Sequence, residues 1–155
     1  MRRTLRTPLA AVALAVVGIA GTTAAVAPPP QAAPIPIRVW KSPTCGCCKE
    51  WVAHIEKAGF KATIEDVPDV EPVKQRLGLP ANLGSCHTAL VNGYVIEGHV
   101  PADLIQKLLR EKPAVAGLAV PGMPMGSPGM EGGRKDPYDV VAFTRDGATR
   151  VYARR

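Results

Sequence analysis

The chain has 155 residues, with 19 Lys and Arg against 13 Asp and Glu and an aromatic share of only 5%. No basic run is interleaved with aromatics, which argues against a nucleic-acid surface. Arg2, Arg3 and Arg6 account for three of the 19 cations, so beyond the N-terminus 16 face 13 and the formal charge of +6 falls to +3.

Those arginines precede an apolar run from Leu9 to Ala20, small residues follow at 24–27, and no acidic residue occurs before Glu50. A positive start, an apolar stretch and a small-residue exit predict a secretory signal peptide over residues 1–27, cut after Ala25 or Ala27. Gly18, Gly21, Thr22 and Thr23 dilute the stretch and weigh against an uncleaved membrane anchor. Arg2-Arg3 hints at a twin-arginine signal, and no cysteine follows closely enough for a lipid anchor. The expected location is periplasmic or otherwise exported, an oxidising space in which thiols ordinarily pair. About 125 residues then remain, one modest domain with room for one core. No other segment is long and apolar enough to cross a membrane, so no membrane association is expected after cleavage.

Residues 28–34 form a stiff proline-rich lead-in. Ile35 to Trp40 predicts a first strand, broken by Ser42-Pro43-Thr44. A helix is predicted from Cys47 to Ala58, because Trp51, Val52, Ile55 and Ala58 recur at helical spacing and Gly59 closes it. Lys61 to Val67 reads as a second strand, and Val70 to Leu77 as a short helix stopped by Gly78 and Pro80. His87 to Val91 and Tyr94 to Glu97 flank Asn92-Gly93, a strong hairpin signal. Pro101 opens a third helix to Arg110. The order β-α-β-α-β-β-α, with Cys-x-x-Cys at the first strand-to-helix turn, predicts an α/β, thioredoxin-like fold over residues 35–112. It would hold a central mixed sheet of about four strands with flanking helices. Residues 113–137 read as an irregular Gly/Pro/Met-rich loop, and 138–155 as a C-terminal hairpin packed on the same domain.

The chemistry concentrates in Cys45-Gly46-Cys47-Cys48 and in Cys86. Cys45 and Cys48, at i and i+3 on a helix start, share one side and sit near the positive end of the helix dipole, which lowers a thiol's pKa. A dithiol oxidoreductase needs only that pair. Cys47 is then surplus, and a Cys47–Cys48 bridge would be strained. Three thiolates in one turn fit a metal better, although the spacing departs from paired zinc knuckles. Cys86 should face this turn from the loop before the third strand, where oxidoreductases of this fold carry a cis-proline. No X-Pro stands there, since Pro80 is six residues too early.

The histidines and methionines are auxiliary candidates. His54 lies ~10 Å along the helix from Cys47 and reads as a surface residue. His87 should point away from Cys86 if both lie in a strand, which suits a structural or supporting role better than ligation. His99 should emerge beside the cysteines, as a ligand or as a tie for the helix entry. Met123, Met125 and Met130 carry neutral thioethers that bind Cu(I) but hardly zinc; the competing reading is gap-filling beneath the loop.

Trp40-Lys41-Ser42-Pro43-Thr44-Cys45-Gly46-Cys47-Cys48-Lys49, Ser85-Cys86-His87-Thr88, Glu97-Gly98-His99-Val100-Pro101-Ala102 and Gly117-Leu118-Ala119-Val120-Pro121-Gly122-Met123-Pro124 together resemble the exported CopG-type copper-resistance family. The likeness runs from about Ile35 to Tyr152. It implies a thioredoxin-like fold and periplasmic copper binding through Cys45, Cys47, Cys48 and Cys86, in copper tolerance and with copper redox cycling as a further activity. Bridging sulfurs would let four thiolates hold more than one Cu(I). The expected partners are copper ions and other periplasmic copper-handling proteins. Two other readings stay open: a thiol–disulfide oxidoreductase with Cys45 as nucleophile and Cys48 as resolving thiol, and a secreted scaffold with two disulfides.

Overall fold

The computed structural model describes residues 33–155, so the predicted signal peptide and most of the proline-rich lead-in lie outside the described residues. The elements are β1 (Ile35–Lys41), α1 (Gly46–Lys57), β2 (Phe60–Asp66), α2 (Glu71–Leu77), a 3₁₀ turn (Ala81–Leu83), β3 (His87–Val91), β4 (Tyr94–Glu97), α3 (Ala102–Glu111), β5 (Gly117–Ala119), β6 (Asp139–Phe143) and β7 (Thr149–Arg154). All strands join one mixed sheet in the order β2-β1-β3-β4-β5-β6-β7. β1 pairs parallel to β2 and antiparallel to β3, β3 antiparallel to β4, and β4 parallel to β5.

The sheet corrects one expectation. It has seven strands, not about four. The C-terminal hairpin does not pack on a finished sheet but extends it, through β5, which lies inside the segment expected to be irregular. Three residues, Gly-Leu-Ala, are too few to show a strand's period. β5 is a strand because β4 and β6 supply backbone partners on both sides.

Alternation along the strands creates the layers. Ile37 and Val39 of β1, Ala89 and Val91 of β3 and Ile96 of β4 face a core closed by Trp51, Val52 and Ile55 of α1 and Leu104, Ile105 and Leu108 of α3. Trp40 points to the opposite face, where Val70 and Val73 cover it. Leu83, Val95, Ala119 and Phe143 continue that second face. Helices cover both faces, and the cysteines collect where β1 ends and β3 begins.

Candidate metal centre

Cys45 is the N-cap of α1, with its sulfur accepting from the Cys48 amide at 3.3 Å. The helix therefore begins at Gly46 and presents Cys47 and Cys48 in its first turn. Cys45 and Cys48 are joined by a disulfide, with Cα atoms 5.4 Å apart, while Cys47 and Cys86 are free thiols. Cys47 Sγ lies 3.5 Å from Cys45 Sγ and 3.9 Å from Cys86 Sγ; Cys86 Sγ is 3.5 Å from Cys48 Sγ. All four sulfurs fall within 4.8 Å of one another. The arrangement holds one disulfide, not the two of the scaffold reading.

Cys86 occupies a bend just before β3, opposite the tip of α1. Burial, reinforced by the adjacent Cys47, pushes its thiol up to about 12. A free Cys86 is therefore a poor nucleophile at neutral pH, and its sulfur needs a cation or a base to become a thiolate.

His99 is placed to accept that thiol's hydrogen bond. Its Nε2 lies 3.0 Å from Cys86 Sγ and its Nδ1 lies 2.7 Å from the Pro128 carbonyl. A carbonyl only accepts, so the Nδ1 proton points at Pro128 and Nε2 keeps its lone pair for the thiol. Burial lowers the His99 pKa, against the pull of the Pro128 carbonyl and Glu131.

His87 departs from the strand-alternation argument. Its Nδ1 is 3.5 Å from Cys86 Sγ, because Cys86 stands in the bend and alternation does not yet apply. The ring is fully buried, lies tilted against Trp51 with centroids 4.3 Å apart and meets His99 edge-on at 5.0 Å. Its Nε2 is a buried polar atom without a hydrogen-bond partner among the described residues. Burial, followed by the proximity of His99 and Lys74, holds this imidazole well below its usual range, so it is neutral. Cys86, His87 and His99 thus form a second cluster of potential ligands that shares one sulfur with the first.

His54 stands apart from both clusters, as its axial distance required. It is not a simple surface residue, however. Its Nε2 accepts from the Ala102 amide at 3.1 Å, capping an unpaired N–H at the start of α3.

The Met-rich loop folds over the cysteines, and its backbone supplies the ties. Pro128 receives His99, and Gly129 lies on α1 so closely that a Cβ there would sit 2.6 Å from the Cys47 carbonyl and 2.8 Å from the Trp51 amide. Met123 is 53% exposed, and Met125 and Met130 are half-buried.

Sequence reasoning missed a buried ion pair beneath Cys86. Lys74 of α2 meets Glu97 of β4, and Glu97 also accepts from Thr88 Oγ1 and the Ser85 amide, both at 2.6 Å. Burial raises the Glu97 carboxyl, while Lys74, Thr88 and the Ser85 amide pull it back. A signal existed: Lys74 falls between Val70, Val73 and Leu77, on the apolar stripe of α2 where a solvated lysine has no place.

Fold and site define a mixed α/β domain that gathers a cysteine cluster capable of holding metal where β1 ends and β3 begins. A family model described as "Protein of unknown function, DUF411" matches residues 83–130. Two solved structures, described as copper resistance protein copG in its forms 1 and 2, are each 51% identical to this chain, with TM-scores of 0.75. Each alignment covers 79% of this chain and 98% of the other. Among curated proteins none matches. The chain belongs to the copper resistance protein CopG family.

Proposed function

We infer that this is an exported copper-binding protein of copper homeostasis, whose site is completed when the Cys45–Cys48 disulfide is reduced. A dithiol reductant supplies the two electrons and two protons that convert that bond into two thiols, and is itself left as a disulfide. Loss of the thiol protons then gives, with Cys47 and Cys86, four soft donors within mutual reach. The observation that carries the reading is the convergence of four sulfurs with two neutral imidazoles. Such a donor set suits Cu(I), and sulfurs this close can bridge more than one ion. The similarity to proteins named for copper resistance supports the same metal. The strand order β2-β1-β3-β4, with β3 antiparallel to its neighbours and the helices on both faces, supports a thioredoxin-like core.

In this reading Cys45, Cys47, Cys48 and Cys86 are the ligands. His99 accepts the Cys86 thiol hydrogen bond at Nε2 and receives the proton only once copper displaces it, or ligates there, and the 120–130 loop shields the site from water. The signal over residues 1–27 delivers the chain to the periplasm, where copper ions and other copper-handling proteins are its partners. Redox cycling of copper is compatible with a disulfide that can form among the ligands. The test is Cu(I) uptake by the reduced protein against a competing chelator. Uptake that disappears in Cys47→Ser and Cys86→Ser supports the reading, and no uptake by the unsubstituted protein would end it.

A specific observation also favours the second reading. Cys45 and Cys48 are bonded to each other, as a dithiol oxidoreductase requires. Insulin reduction separates the two, since an oxidoreductase keeps most of its activity without Cys47 and Cys86.

A further inference from the structure

Residues 84–86 have no regular structure, yet the residue before Cys86 is held at every polar atom. The Ser85 amide donates to Glu97 Oε1 and its carbonyl accepts from Lys74 Nζ, each at 2.6 Å. Its hydroxyl donates to the Gly122 carbonyl. Glu97 Oε1 also receives the Lys74 ammonium, and Oε2 receives the Thr88 hydroxyl at 2.6 Å. The Glu97 side chain is fully buried and that of Lys74 is 8% exposed. Two charges out of water are tolerated only when their remaining lone pairs and protons find partners. Here those partners come from α2, β3, β4 and the loop before Cys86.

The same stretch reaches the sulfur. Gly98 approaches Ser85 so closely that a Cβ would stand 2.6 Å from the Ser85 Cβ and 2.7 Å from the Val120 carbonyl. His99, the next residue, touches Cys86. Glu97-Gly98-His99 thus fixes the residue before Cys86 with its first member and contacts the Cys86 sulfur with its last.

We propose that Lys74 and Glu97 are positioning residues for Cys86: their ion pair clamps the Ser85 backbone and so presents the Cys86 sulfur to Cys47 and Cys48. No proline stiffens this loop, and apolar contacts alone would let the bend rotate. Directional, charge-assisted bonds to both the N–H and the C=O of one residue remove that freedom. The clamp is read from geometry. Its consequence for copper rests on the proposed function above, because a preorganised fourth ligand raises affinity without adding a contact.

The test is the double variant Lys74→Met/Glu97→Gln, which removes both charges at similar volume, with thermal unfolding run alongside. In the metal-free protein with Cys45 and Cys48 oxidised, iodoacetamide labelling followed by peptide mass spectrometry gives the ratio of Cys86 to Cys47 alkylation. That ratio is expected to rise about tenfold, and Cu(I) affinity of the reduced protein to fall about tenfold against a competing chelator. Thr88→Val, which removes one bond to Glu97 and no charge, should move both readouts the same way by about threefold, and it serves if the double variant does not fold. A folded variant with the unsubstituted alkylation ratio overturns the clamp. A changed ratio with unchanged Cu(I) affinity overturns its role in metal binding. If the unsubstituted protein takes up no Cu(I), the copper reading fails, while the alkylation ratio still judges the clamp.

Discussion

The imidazole of His99 bridges Cys86 and Pro128, with Nε2 3.0 Å from the sulfur and Nδ1 2.7 Å from the carbonyl. One ring therefore couples a free thiol of the site to the loop that covers it. His99→Ala should free both ends. Removing a partner that orients a metal ligand typically costs about 10–100-fold in affinity, and that loss is expected in a Cu(I) competition assay. His99→Ala with unchanged affinity would show that the contact is only structural.

The single disulfide sets the thiol count. Denatured protein purified without reductant should show two reactive thiols and, after reduction, four. Cu(I) uptake should follow the same step, with the oxidised form taking up far less than the reduced form. Equal uptake by the two forms would exclude Cys45 and Cys48 as ligands.

Gly129 separates the loop's role from that of the cysteines. At φ +85°, with a Cβ forced 2.6 Å from the Cys47 carbonyl, alanine is strained in both backbone and packing. Gly129→Ala should lower stability by about 1–3 kcal/mol or lift the loop. Faster solvent exchange of the Trp51 amide, followed by hydrogen exchange, would distinguish lifting from global destabilisation.

Stability of the metal-free protein should fall in mild acid. His54 is lowered from 6.5 chiefly by burial, with Lys57 acting in the same direction and Glu131 and Asp103 opposing. His87 and His99 are lowered by burial as well. A group with a depressed folded-state pKa binds fewer protons when folded, so its contribution is complete above about 6.5 and is lost as pH drops below it. The apparent Tm should fall by roughly 5–10 °C between about pH 7 and pH 5. His54→Gln keeps an acceptor for the Ala102 amide without titrating and should flatten part of that slope. An unchanged slope would assign the acid sensitivity to the other two histidines.

The buried indole of Trp51 connects the core to the site, since its Nε1 donates to the Val100 carbonyl at 2.9 Å and its ring supports His87. Trp51→Phe should keep the fold at a cost of about 1–2 kcal/mol, measured by denaturant unfolding, because the lost bond leaves a buried carbonyl unpaired.

Much of this molecule was legible in the order of its residues. The spacing of Trp51, Val52 and Ile55 located α1, and Cys45 at the helix start follows from the break at Ser42-Pro43. Asn92-Gly93 marked the β3–β4 turn. Such features are local, and periodicity within one turn or one strand is enough to encode them. β5 was invisible, because three residues carry no period and become a strand only between two neighbours.

The sequence by itself determined which donors are present and that three of them crowd one helical turn. It could not decide which sulfurs bond, since Cys45 had two neighbours within three positions, and the helix start turned its sulfur toward Cys48. It placed Cys86 opposite that turn and His99 beside it, but it could not seat His87 and His99 on the Cys86 sulfur or place Lys74 against Glu97. Apart from His87, which follows Cys86 directly, those meetings span 13 to 39 residues of chain and depend on β3 lying beside β1 and on helices covering both faces. Spacing along the chain specifies faces of single elements. Only the pairing of distant strands gathers those faces into one site.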